Sequence, residues 1–263
     1  MTMPVPGPHR ALLDRIVAAL RLDDRLEAIL AGGSLVNGGF DDHSDIDLVV
    51  LVRSNVYVAT MSERRAIAES IGGLLAAFTG EHVGEPRLLI CLYGPPLVHV
   101  DLKFVTSEDL GILVERPHLV WAREPSRVQD CLDVADVTWP NRSPRWFEDR
   151  AWVWLHYCAT KLLRGEFFEA VAMLAFFREQ ILGPMFHREA GRPQRGVRRI
   201  EQDDHATAAL AETVATLDRA AALLALERSI DLYIELRQRD PPPTMTSHMP
   251  EALQDYIKAA ASK

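Results

Sequence analysis

Hydrophobic and polar residues follow different patterns in the two halves of this chain. In residues 1–140, short runs rich in Val, Leu and Ile alternate with segments of helical period, whereas residues 141–263 show helical period and almost no strand pattern. The change predicts an α/β (α+β) domain with a mixed sheet over 1–140, followed by an all-helical bundle domain over 141–263.

Within the first half, an amphipathic helix is predicted in "HRALLDRIVAALRLDD", with a short strand after it that leads into a Gly-Gly turn. Three apolar runs predict strands: "DIDLVVLV" (45–52), "RLLICLYG" (87–94) and "PLVHVDLKFVT" (96–106). The segment "ERRAIAESIGGLLAAF" (63–78) predicts a helix. In the second half, Ser143-Pro144 marks a helix start, and further helices are predicted over 199–218 and 219–239 and after "PPPTMTSHMP".

Composition narrows the class of protein. Of 263 residues, 48% are hydrophobic and 25% charged, which is typical of a globular chain, and the net charge of −8 argues against a nucleic-acid partner. The three cysteines lack the CxxC spacing of zinc or redox sites, and neither a signal peptide nor a membrane span is apparent. We therefore expect a soluble cytoplasmic protein without a membrane partner; the sequence gives no indication of its oligomeric state.

Two aspartates open the most apolar strand. In a strand, residues i and i+2 share a face, so Asp45 and Asp47 project together with Cα atoms about 7 Å apart, while Ile46 and Leu48 take the other face. Two like charges held this close repel each other, and a divalent cation is the usual neutraliser. The pair predicts a metal site.

A glycine-rich turn, Gly32-Gly33-Ser34, precedes the aspartates. Glycine lets the backbone approach a ligand closely, and a serine hydroxyl adds a hydrogen-bond donor for a phosphate. The stretch "GGSLVNGG" fits neither the GxGxxG spacing of a dinucleotide fold nor the GxxxxGK[ST] of a P-loop. A phosphate-holding turn beside a metal-holding strand predicts a nucleotide site of another kind.

Phosphoryl chemistry calls for a further carboxylate as metal ligand or general base. In "PLVHVDLKFVT", the alternation puts His99, Asp101 and Lys103 on one face against an apolar backing. Asp101 is the first choice for the third carboxylate, and Glu85 is the alternative.

Together these residues resemble the nucleotidyltransferase signature of the polymerase-β superfamily. The resemblance rests on Gly33-Ser34, then Asp45-Ile46-Asp47 after ten intervening residues, and Asp101 in a later strand. Within the superfamily, a short chain with a helical second half is similar to the antibiotic nucleotidyltransferases, which adenylylate aminoglycosides or lincosamides. The resemblance implies two Mg²⁺ ions on Asp45, Asp47 and Asp101, with Gly33 and Ser34 on the β- and γ-phosphates of ATP or another nucleoside triphosphate.

The resemblance also implies a role for the helical half, because related enzymes bring a lysine from its first helix to the triphosphate; here Lys161 is that candidate. Five arginines in "REAGRPQRGVRR" (188–199) either meet phosphates or pair with acidic residues nearby. The predicted function is transfer of a nucleoside monophosphate, AMP from ATP, to a hydroxyl of a small molecule such as an antibiotic. The alternatives are a transferase that modifies a protein or a tRNA end, as antitoxin-type members do, and a regulatory module that binds nucleotide without turnover.

Overall fold

A computed structural model describes residues 5–261 of the chain. The chain forms two compact units, Met1–Thr138 and Trp139–Lys263. The α-helices are α1 (Gly7–Leu20), α2 (Ser34–Asn37), α3 (Tyr57–Ser70), α4 (Pro125–Asp133), α5 (Pro144–Leu163), α6 (Phe167–Phe177), α7 (Gly183–Glu189), α8 (Asp204–Ala211), α9 (Arg219–Arg239) and α10 (Glu251–Ala261). The strands are β1 (Leu26–Ala31), β2 (Ile46–Val52), β3 (Leu74–Gly80), β4 (Glu85–Tyr93), β5 (Val98–Val105), β6 (Ile112–Leu113), β7 (His118–Ala122) and β8 (Asp136–Val137).

Six of these strands form one sheet in the order β3-β4-β5-β2-β1-β7. β2 and β5 run parallel to each other, and every other neighbouring pair is antiparallel. The short strands β6 and β8 pair separately, in parallel. The mixed sheet predicted from the alternating apolar runs is confirmed.

The side chains of strand β2 alternate between the two faces of the sheet. Ile46, Leu48 and Val50 are at most 2% exposed and pack in a cluster with residues of α1 and α3. Asp47 and Val49, between them, are half-buried and face the other way. Helix α4 covers part of that second face, where Val128 and Leu132 pack against β1, β2 and β5. The aspartates therefore lie on the face of the sheet that α1 and α3 leave open.

The predicted helix over 63–78 is wrong in its second half. Helix α3 ends at Ser70, and residues 74–80 form β3, which pairs with β4. Gly72 and Gly73 both have positive φ, +82° and +77°. Two successive residues in the left-handed region end a helix, and they let the chain turn back toward the sheet edge.

The second unit is helical in its described residues up to Ala261, with a core built from α5 to α10. The helix predicted over 199–218 is shorter than expected, because only Asp204–Ala211 is α-helical. The next helix has its own start, where the Asp218 side chain accepts a hydrogen bond from the Ala221 amide. In the part of the chain that the structure describes, no helix is both long and apolar enough to cross a membrane.

Candidate active site

Three aspartates meet on the open face of the sheet. Asp47 on β2 lies directly opposite Asp101 on the parallel strand β5, and Asp45 lies two residues before Asp47. Each offers a carboxylate oxygen, and the three oxygens lie within 4.8 Å of one another. All three side chains are half-buried, so they concentrate negative charge at the surface of the sheet. The structure thus brings together the three carboxylates selected from the sequence.

The glycine turn lies against Asp47. The Gly32 amide donates to the Asp47 carbonyl at 3.0 Å, and Gly33 has φ +57°. A Cβ at Gly33 would lie 1.7 Å from Oδ2 of Asp47, which leaves no room for a side chain. Glycine is required at position 33 for two reasons: its φ is positive, and the carboxylate of Asp47 lies where a side chain would begin.

Ser34 begins α2 immediately after Gly33. Its side chain is buried, and its Oγ finds no hydrogen-bond partner among residues 5–261. A buried hydroxyl without a partner is costly in a folded protein, and such groups occur at sites that bind a ligand. The hydroxyl is therefore available to a group that enters the turn.

The loop that delivers Asp45 is held in place by neighbouring residues. Oγ of Ser44 donates to Oδ1 of Asp41 at 3.0 Å, and the buried His9 of α1 donates through Nε2 to the Ser44 carbonyl at 2.9 Å. The His9 ring also meets Phe40 edge-on, with centroids 5.2 Å apart. Sequence reasoning missed His9, since one histidine at the start of an amphipathic helix carries no signal of a partner 35 residues away.

Asp101 differs electrostatically from an ordinary surface carboxylate. Burial raises the pKa of Asp101, and the negative charge of Asp45 raises it further. His99 lowers it, both through its charge and through a hydrogen bond from Nε2 to Oδ1 of Asp101 at 2.8 Å. The net result is a pKa above the usual value, so Asp101 holds a proton more readily than a free aspartate. That is the direction expected for a carboxylate that accepts a proton during a reaction.

Glu85, the alternative third carboxylate, has other partners. Hydrogen bonds from Arg87, at 2.7 Å from Nε, and from Lys103 outweigh the effect of burial and lower its pKa to about 2. A carboxylate held this firmly in its ionised form is a poor proton acceptor. Asp101 is the better candidate of the two.

Acidic partners lie beside Lys161, the predicted triphosphate contact, and beside two arginines of 188–199, for which the sequence left phosphate contact and pairing with acidic residues both open. Nζ of Lys161 lies 2.6 Å from Glu166 and 2.7 Å from Glu169, and these two carboxylates raise the lysine pKa. In the arginine-rich segment, Arg188 pairs with Asp240 and Arg192 with Asp203. The contact of Lys161 with a triphosphate stays a prediction.

Sequence reasoning also missed Glu115, which lies between β6 and β7. Its Oε1 accepts a hydrogen bond from the Gly33 amide at 2.7 Å, and its Oε2 accepts one from Nδ2 of Asn37 at 2.7 Å. Glu115 is 82 residues from Gly33 and 78 from Asn37 along the chain, so no local pattern could have indicated these contacts. A second acidic element therefore touches the glycine turn.

No family model and no curated protein matches this chain. Among solved structures, an aminoglycoside 6-adenyltransferase from Bacillus subtilis is similar, with a TM-score of 0.42, 13% identity and coverage of 96% of this chain and 98% of that one. A nucleotidyltransferase-like protein from Exiguobacterium sibiricum has a TM-score of 0.38, 14% identity and coverage of 96% and 88%. A spectinomycin adenyltransferase, AAD(9), from Enterococcus faecialis, solved with ATP and spectinomycin, has a TM-score of 0.29, 13% identity and coverage of 97% and 99%.

Proposed function

We propose that this protein is a nucleotidyltransferase that moves a nucleoside monophosphate, AMP from ATP, onto a hydroxyl group of a small molecule. One observation carries the proposal: three carboxylates gathered at the start of β2 and on β5 lie beside a turn whose glycine has no room for a side chain. The carboxylates supply ligands for a cation, and the turn supplies donors for phosphate. A nucleoside triphosphate is the substrate class that needs both.

The three aspartates fit Mg²⁺. Carboxylate oxygens are its usual protein ligands, and the three carboxylates here bring their oxygens within 4.8 Å of one another, so small side-chain shifts would let them bind cations together. We propose that Asp45, Asp47 and Asp101 hold two Mg²⁺ ions, as the resemblance implies. When bound, the ions would supply positive charge for the phosphate oxygens that become more negative during transfer.

The turn is proposed to hold the triphosphate. The Gly33 amide and the buried Ser34 hydroxyl are donors at the edge of the aspartate cluster. Donors of this kind suit the β- and γ-phosphates, and they would leave the α-phosphate toward the aspartates. Lys161 is kept as a proposed third contact to the triphosphate.

Asp101 is proposed to act as general base. It takes the proton of the acceptor hydroxyl, while the hydrogen bond from His99 fixes the orientation of its carboxylate. The hydroxyl oxygen then forms a bond to the α-phosphorus as the bond to the bridging oxygen of the β-phosphate breaks, and pyrophosphate leaves. No covalent intermediate with the protein is needed.

The acceptor is proposed to be an antibiotic of the aminoglycoside or lincosamide class. The proposal rests on the resemblance of the chain, with its catalytic residues in a sheet unit and a helical second half, to the antibiotic nucleotidyltransferases. Adenylylation of the drug would give antibiotic resistance.

Purified protein with Mg²⁺ and α-labelled ATP tests the proposal against a panel of aminoglycosides and lincosamides. The expected result is acceptor-dependent release of pyrophosphate, with the label transferred to the drug. No release with any member of the panel would contradict the antibiotic proposal. Label on a protein band or on tRNA, in place of a small molecule, would instead support transfer to a macromolecule.

A further inference from the structure

The contact between Glu115 and the glycine turn joins two parts of the first unit. One carboxylate spans α2, since its two oxygens accept from the Gly33 amide before the helix and from the Asn37 side chain at its end, both at 2.7 Å. Asn37 is further held by its own bond from Nδ2 to the Gly33 carbonyl at 3.0 Å. The carboxylate is also close to Gly32, where a Cβ would lie 3.4 Å from Oε1 of Glu115.

A carboxylate and a phosphate compete for such donors. The Gly33 amide has one hydrogen, and at 2.7 Å that hydrogen is fully used by Glu115. A phosphate oxygen can accept the same hydrogen only after the carboxylate has moved away. Negative charge on Glu115 also repels a polyphosphate that approaches the turn.

The hydroxyl of Ser34, the next donor of the turn, is not occupied in this way. Oγ of Ser34 is buried and has no partner among the residues described, whereas the Gly33 amide directly before it is occupied. The pair of observations fits a turn that is half engaged by an internal anion.

We propose that Glu115 sets the affinity of the site for the nucleotide by acting as an internal competitor of its phosphates. The proposal rests on the proposed function, because it assumes that the turn binds a triphosphate. Glu115 is half-buried, between two-residue strand β6 and strand β7. Displacement of one side chain frees both donors at once. Each molecule of nucleotide that binds must overcome this contact, so the contact raises the Kd.

Two variants at this position test the proposal, E115A and the size-conserving E115Q. Equilibrium binding of ATP with Mg²⁺ is measured by titration calorimetry. Removal of a charge-assisted acceptor from the donor is expected to lower the Kd about tenfold in E115A and by less in E115Q, which keeps one acceptor oxygen. In steady-state kinetics, the KM for ATP should fall while kcat stays within about twofold. The reason is that Glu115 has already been displaced both in the enzyme–ATP complex and in the transition state, so its removal does not change the barrier between them.

The matched control is D42N, which removes the same charge from an exposed residue of the loop that follows the turn. Its Kd should change less than about twofold. An equal gain in affinity from D42N would overturn the proposal, because net charge alone would then explain the result.

A merely structural role predicts the opposite sign. If Glu115 braced the turn, both E115A and E115Q would bind ATP more weakly than wild type, and the proposal would be wrong. Unchanged affinity in both variants would also reject it, while leaving the proposed function intact as long as wild type binds ATP. If neither wild type nor the variants bind ATP, the proposal and the proposed function fall together.

Discussion

Carboxylates serve opposite purposes in the two units of this protein. In the sheet unit, Asp45, Asp47 and Asp101 bring three acidic oxygens within 4.8 Å of one another. In the helical unit, the buried carboxylate of Glu148 is surrounded by donors: Nε1 of Trp152 at 3.0 Å, the Tyr233 hydroxyl at 2.5 Å, the Thr246 amide at 2.8 Å and Nη1 of Arg237 at 3.3 Å.

The pKa values reflect the contrast. Burial acts to raise the pKa of both Asp101 and Glu148, but at Glu148 the hydrogen bonds from Tyr233, Thr246 and Trp152 outweigh it, and the net shift is downward. The net shift at Asp101 is upward. A carboxylate saturated with donors stabilises a fold, whereas like charges gathered together cost stability unless a cation joins them. We therefore expect substitutions at the two places to change different properties.

The largest effect is expected from Asp47→Asn. Loss of a proposed cation ligand should lower the proposed nucleotidyl transfer at least about a thousandfold, because several kcal/mol of charge stabilisation disappear. The melting temperature should stay close to that of wild type, since Asn has the same size and relieves repulsion between carboxylates. Initial rates of pyrophosphate release and a thermal melt check both parts, with Asp42→Asn as the control.

Wild-type activity in Asp47→Asn would remove the basis for the metal assignment. A large drop in melting temperature would show instead that the cluster stabilises the fold, and the contrast with Glu148 would disappear.

Glu148→Ala should act on stability. It leaves the Arg237 guanidinium, whose side chain is 8% exposed, without its carboxylate, and removal of one partner from a buried pair costs about 3 kcal/mol or more. Urea denaturation followed by tryptophan fluorescence measures the loss. Glu227→Ala, at an exposed position of α9, is the control and should change the free energy of unfolding by less than about 0.5 kcal/mol. A similar small change at Glu148 would mean that its donors do not stabilise the fold.

Gly33→Ala tests whether the turn and the aspartate cluster act as one site. The new methyl group must displace the Asp47 carboxylate, which lies 1.7 Å from the ideal Cβ, and a misplacement of about 1 Å in a catalytic group lowers the rate about a hundredfold. Gly38→Ala is the matched control, because Gly38 also has a positive φ, +83°, but a Cβ there meets nothing within 4 Å. Both backbones have a positive φ that an alanine rarely adopts, so each variant should lose about 1–3 kcal/mol of stability from this source alone. Equal activities in the two would contradict the close coupling of turn and aspartate.

The sequence predicted the parts of the site that depend on local pattern. The alternation of apolar residues in "DIDLVVLV" is enough to put Asp45 and Asp47 on one face, and the same alternation in "PLVHVDLKFVT" selects Asp101. Parallel pairing that sets Asp47 directly opposite Asp101 is a matter of register between distant strands, which local pattern does not fix.

Parts that depend on distant contacts were missed. Leu74 and its neighbours were predicted to be helical because "LLAAF" fits a helix as well as a strand, and pairing with β4 decides between them. Contacts of Glu115 with Gly33 and of His9 with Ser44 join residues that no periodicity relates. Their effect on the site could be found only from the fold.

The smallest expected effect is a pH dependence that belongs to Glu148. Its pKa is lower in the folded protein than in the unfolded chain, so its contribution to stability is complete above the unfolded pKa, about 4.3, and is lost as the pH falls through the folded pKa. The difference in unfolding free energy between wild type and Glu148→Gln should therefore be largest at neutral pH and narrow on acidification, by about 1.4 kcal/mol for each unit by which folding lowers the pKa. Urea titrations of both proteins at several pH values from 7 to 3 measure the gap, and Glu227→Gln, measured alongside, should run parallel to wild type. A gap that stays constant or widens in acid would mean that the donors around Glu148 do not favour its ionised form. The contrast between a glutamate stabilised by donors and aspartates that repel one another would then be wrong.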